Sequence, residues 1–160
     1  MRALYTGSFD PIIKGHYDII KRISKIYTEV IVVVAINHDK KHMFNIKDRY
    51  NMVKTSLKKF TNVKVIKHDG IISDLINKHN INILVRGLRN STDLDYEISI
   101  EQFTRQTTND ETIYLTPYSS NIHMSSTLVR NLLKTKKVKN IKKFVNKEVY
   151  KYLKKYQKNI

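Results

Sequence analysis

Apolar residues recur along this chain in two alternating rhythms, and each change of rhythm marks an element. Short blocks rich in β-branched and aromatic residues, 2–6, 29–36, 63–67, 81–85 and 112–116, read as strands, the last stopped by Pro117. Between them, apolar positions three and four apart predict helices. Ile19, Ile20, Ile23 and Ile26 share one face of a helix over 16–26, and Tyr50, Val53, Leu57 and Phe60 fall in phase over 47–60. Shorter helical stretches are expected at 72–79, 93–107 and 125–134. Strands that alternate with helices imply an α/β fold with a parallel five-stranded sheet, doubly wound, with helices on both faces. The run Val30-Ile31-Val32-Val33-Val34-Ala35-Ile36 is apolar at every position, as suits a strand buried on both faces. From about 136 to 160 the alternation stops, and Ile141, Val145, Val149 and Leu153 recur every fourth residue as an amphipathic stripe. We therefore expect one domain over 1–160, ending in a basic helical segment, with no internal repeat and no linker.

Composition narrows the class. The chain has 160 residues, 41% of them hydrophobic, which is enough for a real core. No apolar run approaches the roughly 18 residues of a membrane span, and polar Ser8-Phe9-Asp10 follows the first strand where a signal peptide would continue. A cytoplasmic protein is expected, with no membrane partner. Cysteine is absent, which excludes a disulfide framework and thiolate metal sites. The formal charge of +16 would suit a nucleic-acid binder. Yet the excess concentrates between Lys134 and Lys158, where Glu148 is the only acid, and lysine accompanies many Asn and Ile residues throughout. A solvated face and a chain-wide compositional bias account for that pattern, and no nucleic-acid partner is expected.

Candidate chemistry gathers just after strands and at helix starts, where open α/β sheets bind their ligands. The first such place is Tyr5-Thr6-Gly7-Ser8-Phe9-Asp10-Pro11-Ile12-Ile13-Lys14-Gly15-His16. It contains neither G-x-G-x-x-G nor the Walker-type G-x-x-x-x-G-K-[ST]. A strand, a glycine-containing loop and a helix N-terminus still make a phosphate site, since free amides and the helix dipole point the same way. A histidine at that end can donate to a phosphate oxygen, or can merely cap or pack. Arg86-Gly87-Leu88-Arg89 sets two guanidinium groups three residues apart after a strand, suited to bidentate phosphate contacts or to surface ion pairs. Ser125-Ser126-Thr127 can cap the helix that follows, hold a triphosphate, or do both. Lys40, after the second strand, is singled out by that position alone. His38, His42, His68, His79 and His123 lack metal-ligand spacing and read as surface or packing residues.

Taken together, Gly7-Ser8-Phe9-Asp10-Pro11, Gly15-His16, Lys40-Lys41-His42-Met43-Phe44, Asp48-Arg49, Arg86-Gly87-Leu88-Arg89, Asp93, Asp95-Tyr96-Glu97 and Ser125-Ser126-Thr127-Leu128-Val129-Arg130 resemble the bacterial phosphopantetheine adenylyltransferases. These are members of the nucleotidyltransferase superfamily with its xxGH signature and Rossmann-like sheet. The resemblance covers roughly residues 2–133. It implies transfer of AMP from ATP to 4′-phosphopantetheine, giving dephospho-coenzyme A and pyrophosphate, with Mg²⁺ carried by the ATP phosphates and no protein metal site. It also implies a homohexamer. By position, His16 would stabilise the transition state, with Lys40 and Arg89 also catalytic. Ser8, Lys40, Ile72 and Arg86 would bind phosphopantetheine. ATP would meet Ser8, Phe9, His16, Gly87, Leu88, Arg89, Glu97, Asn121, Ile122, His123, Met124, Ser125, Ser126 and Thr127. The chain departs from the family pattern at Ile13, Thr104 and Asn131, and it lacks the usual glycine turn at Thr135-Lys136-Lys137-Val138.

Overall fold

A computed structural model describes residues 1–38 and 41–158. Five strands form one all-parallel sheet in the order β3-β2-β1-β4-β5: β1 (Arg2–Gly7), β2 (Glu29–Ala35), β3 (Val63–His68), β4 (Ile83–Gly87) and β5 (Glu111–Leu115). The helices are α1 (Lys14–Ile23), α2 (Ile46–Leu57), α3 (Ile72–His79), α4 (Ser91–Thr104), α5 (Ser126–Lys134), α6 (Val138–Ile141) and α7 (Lys147–Lys158). The doubly wound parallel sheet expected from the alternation is the one observed. Winding reverses between β1 and β4, which lie side by side with Tyr5 opposite Val85, so the crevice for a ligand opens where Gly7 and Gly87 end their strands.

Alternation along each strand assigns the two faces. Ala3, Tyr5, Val30, Val32, Val34 and Val85 pack with α1, α2, α5, α6 and α7 into the larger core. Leu4, Ile31, Val33 and Leu84 point the other way, onto Leu75, Ile76 and Ile81 of α3 and the turn after it. That second face is thinly covered. On α4 only Thr104 is buried, while Tyr96 and Phe103 stand largely in solvent.

Local chemistry explains where elements begin and end. Asn90 accepts from the Asp93 amide and starts α4 at Ser91, two residues before the apolar pattern. Past Thr104, the Thr107 and Thr108 hydroxyls donate to the Thr104 carbonyl and close the helix early. Helix α1 likewise ends at Ile23, because Ser24 turns its hydroxyl back to the Lys21 carbonyl. Strand β4 starts at Ile83 rather than Ile81, whose amide instead closes the α3 turn onto Ile76, and runs on through Arg86 and Gly87. The tail stripe is buried throughout: Ile141, Val145, Val149 and Leu153 all enter the larger core. Leu153 is completely buried, so Leu153→Ala should destabilise the chain by about 2–5 kcal/mol, read as a lower urea midpoint at unchanged slope. An unchanged midpoint would show that α7 does not contribute to the fold's stability.

Candidate active site

At the β1–β4 switch lies a cavity of about 490 Å³, walled by the loop after β1, the N-terminal turns of α1 and α5, and the end of β4 with α4. Gly87 is required at its base: a Cβ there would stand 2.9 Å from both the Ile19 Cδ1 and the Tyr5 hydroxyl. Phe9 takes a positive φ of 47°, which turns its ring inward and edge-on to His16 with centroids 5.1 Å apart. His16 sits in the first turn of α1, and its Nδ1 accepts from the Ile13 amide at 3.3 Å. The ring is therefore the neutral tautomer with hydrogen on Nε2, a donor available to the cavity it lines. Its pKa falls from 6.5 to about 4, because burial penalises the charged ring and the Arg89 guanidinium adds repulsion.

A folded-state pKa below the unfolded value makes His16 a liability in acid. Below pH 6.5 the unfolded chain takes up a proton that the native ring refuses until about pH 4. Stability contributed by the neutral ring is thus complete above pH 6.5 and falls as pH drops toward 4. The slope is at most ~1.4 kcal/mol per pH unit. His16→Gln should flatten this part of the stability profile, measured by urea unfolding at pH 7 and pH 4.5. Parallel profiles for the two proteins would contradict the depressed pKa.

Opposite His16, α4 presents Asp93, Glu97 and Glu101 at four-residue intervals, and each holds an arginine. Asp93 grips Arg89 through both carboxylate oxygens, at 3.0 and 3.3 Å. Glu97 lies 3.0 Å from Arg86 Nε, with both side chains mostly buried. Glu101 takes Arg105 at 2.7 Å and the Tyr114 hydroxyl. On the third wall, Ser125 caps α5 by accepting from the Leu128 amide, and the Ser126 hydroxyl donates to the Pro11 carbonyl. Arg130, one turn on, donates to the Asp10 carbonyl at 2.8 Å and to the Thr127 hydroxyl at 3.0 Å. An arginine on each of two walls, a neutral imidazole donor and two helix N-termini suit a polyphosphate ester.

The cytidylyltransferase-like family matches residues 4–132. The phosphopantetheine adenylyltransferase of Flavobacterium psychrophilum is 37% identical over 133 residues, 83% of this chain and 88% of that one. That of Clostridium perfringens is 35% identical over 148 residues, 92% of this chain and 89% of its own. The chain belongs to the phosphopantetheine adenylyltransferases, within the cytidylyltransferase-like family. Among solved structures, the nicotinic acid mononucleotide adenylyltransferase of Plasmodium falciparum, complexed with NaAD, superposes with a TM-score of 0.69 at 20% identity, covering 97% of this chain and 95% of that one. At that identity the match speaks for the fold.

The cavity brings together Ser8, Phe9, His16, Arg86, Gly87, Arg89, Glu97, Met124, Ser126 and Thr127 of the residues expected there. Ile122, His123 and Ser125 line a neighbouring depression of about 330 Å³ that shares Arg89 and Met124. Asn121 ends the 3₁₀ turn that leads into it, held over α1 by the Tyr118 amide donating to Asp18. Leu88 is buried and is not among the residues that line the cavity; its amide donates to the Leu115 carbonyl. Ile72 is not brought to the cavity. As the first residue of α3 it packs against the smaller core on the other face. Lys40 lies outside the described residues. His42, expected at the surface or in packing, is a cavity residue, with a side chain only 14% exposed and Nδ1 3.8 Å from Asp10.

Three charged residues that the motifs contain, but to which no site role was given, hold places at or behind the cavity. Asp10 is buried and accepts the Met43 and Phe44 amides, both at 2.9 Å. Arg130 lines the wall, and its signal was its place one helical turn after Thr127. Arg49 is buried behind the Ser8 loop, where burial lowers its pKa and Asp10 opposes that shift. Among the departures, Thr104 turns its hydroxyl into its own helix, onto the Ile100 carbonyl, and offers the cavity nothing. Among the described residues there is no group of three His, Asp or Glu placed to hold a metal ion, and no helix long and apolar enough to cross a membrane.

Proposed function

We infer that the chain transfers AMP from ATP to 4′-phosphopantetheine, giving dephospho-coenzyme A and pyrophosphate. The observation that carries this reading is the neutral His16 donor at the N-terminus of α1, facing Arg86 and Arg89 across one cavity at the β1–β4 switch. In this reading an oxygen of the acceptor phosphate attacks the α-phosphorus, a new P–O bond forms, and the bond to the bridging β-phosphate oxygen breaks. His16 Nε2–H donates to an α-phosphate oxygen as its charge grows, while the α5 N-terminus, Ser126, Thr127 and Arg89 receive the triphosphate. Arg86, with Ser8 and Lys40, holds the acceptor phosphate. No residue forms a covalent bond to substrate.

Mg²⁺ belongs to this reading as an ion carried by ATP. The cavity's own carboxylates are already engaged, Asp10 by two amides, Asp93 by Arg89 and Glu97 by Arg86, which fits an ion held by phosphate oxygens. When bound it would offset charge on the departing pyrophosphate. We also propose a homo-oligomer, a hexamer as in the resemblance, supported by the thin cover on α4 and its exposed Tyr96 and Phe103. Both substrates are water-soluble anions, in keeping with a cytoplasmic enzyme.

The test is pyrophosphate release from ATP and Mg²⁺ with and without 4′-phosphopantetheine, with product mass determined. Acceptor-dependent release and dephospho-coenzyme A formation are expected. A folded protein that releases pyrophosphate only with another acceptor would replace this substrate assignment.

A further inference from the structure

The inward face of α2 comprises Arg49, Met52, Val53, Ser56 and Leu57, so an arginine stands where packing alone calls for an apolar residue. It is among the largest fully buried side chains of the chain, at 2% exposure. An apolar side chain of similar volume commonly serves stability as well as a buried charge does. What distinguishes a guanidinium here is its bonding. Arg49 Nη1 donates to the Ser8 carbonyl at 2.6 Å and to the Ala35 carbonyl at 2.9 Å.

Those two carbonyls sit at the point where the sheet opens. In the β1–β2 ladder Gly7 pairs with Val34, so Ser8 and Ala35 would be the next pair. Instead β1 ends, and the chain turns inward at Phe9. Arg49 takes over the ladder one step beyond its last rung, clamping the Ser8 loop to the end of β2. A reciprocal clamp runs the other way. Asp10 accepts the amides of Met43 and Phe44, and the Arg49 amide donates to the Asn45 carbonyl on the same stretch. The Ser8–Asp10 loop and the 43–49 segment are thereby tied into one unit, and Lys41 and His42, just before it, line the cavity. Arg49 itself is not among the cavity residues.

We infer that Arg49 is a positioning residue for the transfer reaction, setting the place of the Ser8 loop and with it the seat of the acceptor phosphate. This rests on the function proposed above. Most of the residues expected to meet the nucleotide lie on or just before α5 and at the β4–α4 turn, outside the clamped unit. The effect should therefore fall chiefly on the acceptor and reach ATP only in small part, through Ser8 and Phe9.

The experiment compares wild type, Arg49→Met and Arg49→Lys by circular dichroism, thermal melting and initial rates with each substrate varied. Arg49→Met should fold and raise the KM for 4′-phosphopantetheine about tenfold or more, with the KM for ATP within about twofold. Arg49→Lys keeps a cation on a side chain one bond too short to reach both carbonyls as Nη1 does, and should fall between the two. A purely structural role would lower the active fraction, and so kcat, without moving either KM. Unmoved acceptor KM in the folded variants overturns the proposal. Should Arg49→Met fail to fold, Arg49→Lys decides: a raised acceptor KM supports the role and wild-type kinetics overturn it. Absence of acceptor-dependent transfer in wild type would instead overturn the proposed function, and a wild type active with that acceptor keeps the two failures apart.

Discussion

His16→Ala should lower kcat for adenylyl transfer about 10²–10³-fold while leaving the KM for ATP within a few-fold. A donor aimed at an α-phosphate oxygen bonds more strongly as that oxygen gains charge, so its loss is felt at the transition state more than in the ground state. The geometry favours that outcome because the ring is fixed before substrate arrives. Nδ1 is occupied by the Ile13 amide, and the Phe9 ring packs edge-on against the imidazole. The charge state is fixed too. With a pKa near 4, His16 is neutral at every pH from 5 to 9, and a neutral donor needs no proton removed first. The kcat/KM profile should therefore show no inflection from His16 between pH 5 and 8. Equal losses in ATP binding and rate would reduce His16 to ground-state binding. A break near pH 6.5 that disappears in the variant would mean that His16 titrates as an ordinary imidazole.

The sheet was legible because its strands are short and its helices amphipathic, and the site was legible where chemistry and backbone coincide. A Gly-His pair after a strand fixes its own place at a helix N-terminus, and so does Ser125-Ser126-Thr127. Side chains that turn against their type were harder to see. Arg49 lies in phase with Met52, Val53 and Leu57, and an arginine on an apolar stripe was the available signal. Of the stripe expected over 47–60, Val53 and Leu57 are buried, whereas Tyr50 is half-buried and Phe60 lies past the end of α2, and the buried face takes in Arg49, Met52 and Ser56 as well. Asp10 stood in the Gly7–Pro11 motif, but its bracing role was not legible, since its partners are amides more than thirty residues away. Ile72 was singled out by the resemblance alone; it packs against the smaller core and is not among the cavity residues. Ion pairing was the other limit. R-G-L-R reads as phosphate binding or as surface pairs, and both arginines are paired, to residues one and two turns along α4.

That pairing governs the second large effect. Arg86→Ala should raise the KM for 4′-phosphopantetheine by about two orders of magnitude, more than the loss of one phosphate contact would give. Arg86 and Glu97 are mostly buried, at 12% and 18% side-chain exposure, and lie 3.0 Å apart. On the function proposed above, removing the guanidinium takes a bidentate partner from the acceptor phosphate. It also leaves the Glu97 carboxylate facing the same space without Arg86 to offset its charge, so an incoming dianion meets more repulsion. The two contributions separate in a double variant. Arg86→Ala with Glu97→Gln keeps the first loss and relieves the second, and should recover roughly tenfold of the acceptor KM. Glu97→Gln alone frees Arg86 from its carboxylate, so acceptor binding should tighten or hold while the nucleotide side reports whatever Glu97 contributes there. If the double variant is no better than Arg86→Ala, Glu97 does not oppose the phosphate and the pair is only a brace for α4. If Arg86→Ala leaves the acceptor KM unmoved, the acceptor phosphate is held elsewhere in the cavity, and Arg130, on the opposite wall and 26% exposed, becomes the residue to replace next.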